Sequence, residues 1–136
     1  MGQQQLLLIV LGVIIVALAV VAVFPVYQKV QYRDAADGLL DRGLTVAGSA
    51  AGWKSRSDMF AGGNASYERL DAEGLETLGL DPVSPYGTFA VTSSTAESLV
   101  ITGVSDRHPD VGVRVFVNGY DIDSTAVRYD GSLTLE

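Results

Sequence analysis

The chain opens with a long, unbroken run of apolar side chains. Residues 6–24 read LLLIVLGVIIVALAVVAVF and contain no charged residue. As a helix, this run is about long enough to cross the hydrocarbon core of a membrane. It has no polar stripe, which argues against a helix lying in the membrane surface. It is also too long for a cleaved signal peptide and has no basic start, so we expect a retained membrane-compatible helix.

The helical pattern continues past the apolar run. Pro25 lacks an N–H and is expected to kink or loosen the helix just before it. Beyond it, apolar residues recur at helical spacing with charges between them, at Val26, Val30, Leu40, Leu44 and Ala47. Trp53 marks the expected end. One helix over residues 3–52 would be about 75 Å long at 1.5 Å per residue. A small domain cannot cover such a rod, so its apolar part must lie in lipid or against other copies.

The rest of the chain predicts a small antiparallel sheet. Residues 54–66 have a loop composition, and residues 68–80 allow at most a short helix or turn. Alternation and turn signals then predict about five strands, at residues 86–92, 98–102, 111–117, 120–127 and 132–136. The apolar face of this meander needs a cover, and residues 35–52 of the helix are the expected one.

Asn118-Gly119 is the strongest turn signal in the chain. Asn-Gly fits a two-residue type I′ hairpin, in which both residues need positive φ. That turn would pair Val117 with Tyr120 and Val115 with Ile122. It would also place Arg114 opposite Asp123, an attractive cross-strand pair.

The predicted fold class is therefore α+β, with a long helix over residues 1–53 and a head over residues 54–136. The net charge of −7 falls entirely within the head. An acidic head does not suit nucleic acid, because phosphate binding needs a basic patch. The chain has no cysteine, which excludes disulfides and thiolate sites.

No pattern in the head predicts catalysis, a metal, a cofactor or a small-molecule substrate. His108 is the single histidine and is expected on the surface, since a zinc site needs further ligands. No serine lies in a nucleophile elbow, and no Lys follows the glycines at 62–63 as a phosphate loop requires. Asn64-Ala65-Ser66 has the spacing of a glycosylation acceptor, a pattern common by chance. The remaining carboxylates are expected to form a solvated acidic face rather than a calcium site, at Asp106, Asp110, Asp121, Asp123 and Asp130.

An uncharged apolar helix, a Pro about twenty residues in, an amphipathic extension, a loop and a small antiparallel sheet together resemble the layout of type IV pilins. The resemblance covers the whole chain in architecture and residues 1–53 in sequence. It implies that the apolar helices of many copies pack in the core of a filament. It also implies a break in the helix, for which Gly12 and Pro25 are the nearest matches.

The start of the chain departs from the bacterial pilin pattern. Pilins usually carry a Glu at the fifth mature position, which pairs with a neighbouring subunit's amino terminus. Here that position is Gln5, if Met1 is the mature start, and glutamine supplies hydrogen bonds but no charge. Processing after Gly2 would instead make Gln3 the first residue. The pattern also lacks a cysteine pair closing a C-terminal loop.

The resemblance implies a structural, non-enzymatic homo-oligomer at the cell surface, with an inner-membrane pool before assembly. The Lys and Arg residues just after the apolar run would by themselves favour a cytoplasmic head, although three Asp residues lie among them. Two alternatives stay open: a monomeric membrane-anchored binding domain and a minor pseudopilin of a secretion system. The expected assembly residues are Gln5, Leu6, Leu8, Ile9, Leu11, Gly12, Ile15, Val16, Leu18, Val20, Val23 and Phe24.

Overall fold

The computed structural model of the chain describes residues 2–57, 59, 62–71 and 74–135. Its elements are helices α1 (Gly2–Ser55) and α2 (Gly74–Thr77) and strands β1 (Gly87–Ser94), β2 (Ser98–Ser105), β3 (Gly112–Asn118) and β4 (Asp121–Arg128). The strands form one antiparallel sheet in the order β1-β2-β3-β4. The second half of α1 packs on this sheet, which confirms the predicted α+β class.

Helix α1 ends where the sequence predicts, within three residues. The loop that follows it satisfies its last carbonyls: the Gly63 N–H donates to the Trp53 carbonyl at 3.0 Å, and the Ala65 N–H to the Lys54 carbonyl at 2.8 Å. A helix leaves its final carbonyls without intrahelical partners, so this loop acts as a cap. Lys54 in the last turn also complements the negative end of the helix dipole.

The chain divides by packing between Arg33 and Asp34. Every side chain described from residue 2 to residue 30 is exposed, whereas buried helical positions begin at Ala36. They recur at helical spacing along one face, at Ala36, Leu39, Gly43, Val46, Ala47, Ala50 and Trp53. Residues from 34 onward thus belong to the compact head, whereas the predicted boundary at 53/54 follows the end of the helix.

The face of the sheet that the helix covers is apolar. Its buried side chains include Phe89, Leu99, Ile101, Val113, Val115 and Val117. Gly43 allows close approach: a Cβ built there would lie 3.1 Å from Val115 Cγ2 and 3.7 Å from Phe89 Cε1. Interiors are packed at crystal-like density, so this contact sets the distance between helix and sheet. The expected cover over residues 35–52 is confirmed.

The predicted fifth strand is wrong for residues 132–135, and residue 136 lies outside the described residues. The chain turns at Gly131, where φ is +72°, and the Gly131 N–H donates to the Asp110 carbonyl at 2.9 Å. This turn directs residues 132–135 toward the β2–β3 loop instead of along β4. Hydrogen bonds from Ser132 lower the pKa of the exposed Asp130 carboxyl in the same turn.

The β3–β4 turn lies one residue later than predicted. Asn118 pairs with Asp121, so Gly119 and Tyr120 are the loop residues. Gly119 has a φ of +65°, while neither Asn118 nor Tyr120 is in the left-handed region. Glycine at the first loop position suits a type II′ turn rather than type I′.

The predicted cross-strand pairs change with this turn. A bulge lies between Phe116 and Val117, and beyond it Val115 pairs with Thr125 and Arg114 with Ala126. The attraction expected between Arg114 and Asp123 is therefore wrong. The Arg114 Nε instead donates to Thr102 Oγ1 at 3.1 Å, across the neighbouring β2–β3 pair.

The cap of α1 contains a strained residue that predicts a stabilising substitution. Ala65 has a φ of +64°, a conformation that costs a residue with a Cβ about 1–2 kcal/mol. We expect Ala65→Gly to raise the free energy of unfolding of the detergent-solubilised chain by about 1 kcal/mol. Urea unfolding followed by Trp53 fluorescence measures it.

Ala51→Gly is the matched control, since Ala51 lies within α1. Glycine inside a helix costs about 1 kcal/mol, so this variant should lose stability. A loss of stability in Ala65→Gly as well would contradict the strained-cap interpretation.

Candidate functional site

The exposed apolar half of α1 is the main candidate for function. Leu, Ile, Val and Phe side chains along residues 6–24 lie open to solvent; Val16 is 63% exposed and Phe24 62%. Burying one such side chain contributes about 1.5–3 kcal/mol, so leaving the whole run in water is strongly unfavourable. No part of the described chain covers this run, so lipid or another molecule must.

The structure places all the predicted assembly residues on this exposed segment of α1. Their exposure is consistent with a contact role, and that role stays a prediction. The neutral Gln5 amide lies exposed in the second turn. α1 is continuous through Gly12 and Pro25, so unwinding between them is a prediction for the assembled form only.

A shallow apolar groove runs along one side of this segment. It has a volume of about 360 Å³ and is lined by Val16, Ala19, Val20, Val23, Phe24 and Tyr27. The predicted assembly residues do not include two of the residues that line this groove, Ala19 and Tyr27. Their spacing of three and four residues from predicted members was the available signal, because such residues share a helix face.

The apolar surface is not confined to that groove. Large exposed side chains that the prediction omitted include Leu7, Val10, Val13, Ile14 and Val21. The sequence could not rank these positions, because a run without polar residues has no amphipathic face to single out. A surface that is apolar all round suits immersion in lipid or enclosure by several neighbouring helices.

By its length and composition, α1 is capable of crossing a membrane, and its apolar part lies near the N-terminus. The structure is thus compatible with membrane insertion. The apolar exposure extends to Val26 and Val30, beyond the run predicted to span the bilayer. Those residues alternate with the first charged side chains of the helix.

The head residues singled out from the sequence do not converge on a chemical site. Among the residues that the structure describes, no three His, Asp or Glu side chains come close enough to hold a metal ion. Asp121 and Asp123 are exposed on β4. His108 is half-buried rather than fully exposed. It lies in a tight loop, where its backbone N–H donates to Ser105 Oγ at 3.2 Å.

The end of α1 meets the β3–β4 turn through a buried lysine. Lys54 is only 2% exposed, and its Nζ lies 4.6 Å from the ring centre of Tyr67 and 4.7 Å from that of Tyr120. A cation between two aromatic faces is attracted by both. The Tyr67 hydroxyl donates to the Gly119 carbonyl at 2.6 Å. The contact of Lys54 with the two tyrosine rings holds the end of α1 against the β3–β4 hairpin. Sequence spacing could not predict it.

Two buried polar atoms near the helix lack a hydrogen-bond partner within the described part of the chain, Arg42 Nε and Trp53 Nε1. Trp53 packs closely on the capping loop, since a Cβ at Gly63 would overlap its ring.

Comparisons with protein-family models, curated proteins and solved structures find no match to this chain.

The buried phenol predicts a loss of stability at alkaline pH. Burial, and then repulsion from Tyr120, raise the pKa of Tyr67 above its ordinary value. The protonated Tyr67 phenol makes its full contribution to the free energy of unfolding below the unfolded-state pKa near 10. That contribution is lost as pH rises through the raised folded-state pKa. We expect the free energy of unfolding to fall above about pH 10, measured by urea unfolding from pH 8 to 11.

Tyr67→Phe should flatten that decline and cost about 1 kcal/mol at neutral pH, because the Gly119 carbonyl loses its donor. Tyr27→Phe, on the exposed helix, should keep the wild-type slope. Equal alkaline slopes in Tyr67→Phe and the wild type would contradict this role for Tyr67.

Proposed function

We propose that the chain is the structural subunit of an extracellular filament of the type IV pilus kind. The observation that carries the proposal is the exposed apolar half of α1, which the described head leaves uncovered. Copies that bundle these helices would remove the apolar surface from water along the length of a fibre.

The head has the features of a fibre's outer layer. Residues 54–136 carry a net charge of −7, which favours solubility and keeps fibres apart. Helices that associate head to tail through different surfaces generate an open helical polymer rather than a closed ring. Before assembly, the same apolar segment would hold the subunit in the inner membrane, consistent with a helix capable of spanning it.

A monomeric, membrane-anchored binding domain is the second candidate. It is favoured by the same capacity of α1 to cross a membrane. One feature of the chain favours the polymer instead: apolar side chains stay exposed beyond the predicted span. A minor pseudopilin would share this feature and differ in abundance.

A charge in the apolar groove tests the proposal. Val16 lines the groove and is exposed, so Val16→Asp leaves the fold of the head unchanged. A buried carboxylate without a partner costs several kcal/mol, so we expect at least a hundredfold loss of sheared filaments. Negative-stain microscopy and immunoblotting of the sheared fraction measure the yield.

Val16→Leu is the control, because it keeps the site apolar and should preserve assembly. The membrane fraction of each variant is measured in parallel, so that failed insertion is distinguished from failed assembly. Wild-type filament yield from Val16→Asp would exclude packing of this face in the fibre.

A further inference from the structure

Five exposed charges follow the apolar segment of α1; four of them form two matched pairs, and the fifth is Asp34. Lys29 and Arg33 are basic and four residues apart; Asp37 and Asp41 are acidic and also four residues apart. Within the described residues, none of these four side chains takes part in an ion pair or a side-chain hydrogen bond. Residues four apart on a helix lie on one face, so each pair presents a patch of one sign, and the two patches adjoin because Arg33 and Asp37 are also four residues apart.

The two patches complement each other between parallel copies. A shift of eight residues along the helix sets Lys29 opposite Asp37 and, at the same time, Arg33 opposite Asp41 of a second copy. Eight residues correspond to an axial offset of about 12 Å. Opposite charges arranged in this way fix register and exclude wrong alignments.

The same shift also places large side chains of one copy opposite glycines of the next. Gly48 and Gly52 lie on the helix where an added Cβ would meet no described atom within 4 Å, apart from the adjacent residues and the nearby helix backbone. Leu40 lies eight residues before Gly48 and is half-buried. Leu44 lies eight residues before Gly52 and is 36% exposed. The shift that pairs the charges therefore places two leucines of one copy against two open glycines of the next. Small residues of this kind let helices approach closely.

We infer that these residues form a contact between copies of this chain, in which Lys29, Arg33 and Leu44 of one copy bind Asp37, Asp41 and Gly52 of the next at a shift of eight residues. The inference rests on the proposed filament. The two surfaces differ, so the contact is heterologous and repeats without closing. It continues the apolar contact of residues 6–24 along the same helix and sets the register that an all-apolar surface cannot specify.

Cysteine cross-linking tests the contact, since the chain has no cysteine of its own. Arg33→Cys and Asp41→Cys are combined in one chain, and sheared filaments are oxidised and run on a non-reducing gel. Cα atoms eight residues apart on a helix are about 12 Å apart, too far for a disulfide within one chain. We expect a ladder of dimers, trimers and higher multimers, because each copy would link to two neighbours.

Three controls accompany the double variant. Each single cysteine variant should give no ladder beyond dimers. Arg33→Cys combined with Asp123→Cys, which lies on the exposed β4, should give none either. Filaments that form without the 33–41 ladder would overturn the contact and leave the filament proposal standing. A wild-type chain that forms no filaments would overturn both.

Charge exchange separates this contact from binding of anionic lipid headgroups by the same cations. Lys29→Glu with Arg33→Glu, and separately Asp37→Lys with Asp41→Lys, should each lower filament yield by about tenfold. All four changes in one chain recreate the attraction in reverse and should restore most of the yield. Failure of the fourfold variant to recover, with an intact membrane fraction, would assign Lys29 and Arg33 to lipid and overturn the contact.

Discussion

The structure depends on one constraint: the first half of α1 is apolar on every side and lies outside its own chain's core. A soluble helix buries one stripe on its domain, as α1 does from Ala36 onward against the sheet. The preceding residues have no such stripe and no such cover. The hydrophobic effect therefore favours removing these residues from water, into lipid or against another molecule.

The head is a small domain, so its stability depends on how much of its apolar surface it can bury. The second half of α1 supplies much of its core, because a four-stranded sheet alone has one apolar face open to water. Two contacts fasten that helix. Gly43 lets it approach Val115 and Phe89, and Lys54 lies between the rings of Tyr67 and Tyr120 at its end. Residues 34–55 of α1 are thus part of the folded head.

The sequence was sufficient to predict the architecture but not its local register. The apolar run, the helical spacing through Leu44 and the alternation of the valines in β3 each identified an element, because periodicity reflects which face is buried. The Asn118-Gly119 turn was placed one residue early, because Asn-Gly favours type I′ whereas the glycine alone takes positive φ here. The Lys54 contact joins residues far apart in sequence, so no local pattern could predict it. Within the apolar run, uniform composition hides which side chains meet a partner.

The central claim is that this chain leaves the membrane as a polymer, and intact-mass spectrometry of material sheared from the cell surface tests it most directly. The account predicts a dominant species near the 14.4 kDa of the chain, with one defined amino terminus that shows whether Met1 or Gln3 leads. Recovery of the protein solely in the membrane pellet, with none in the sheared fraction, would contradict the account and favour an anchored monomer.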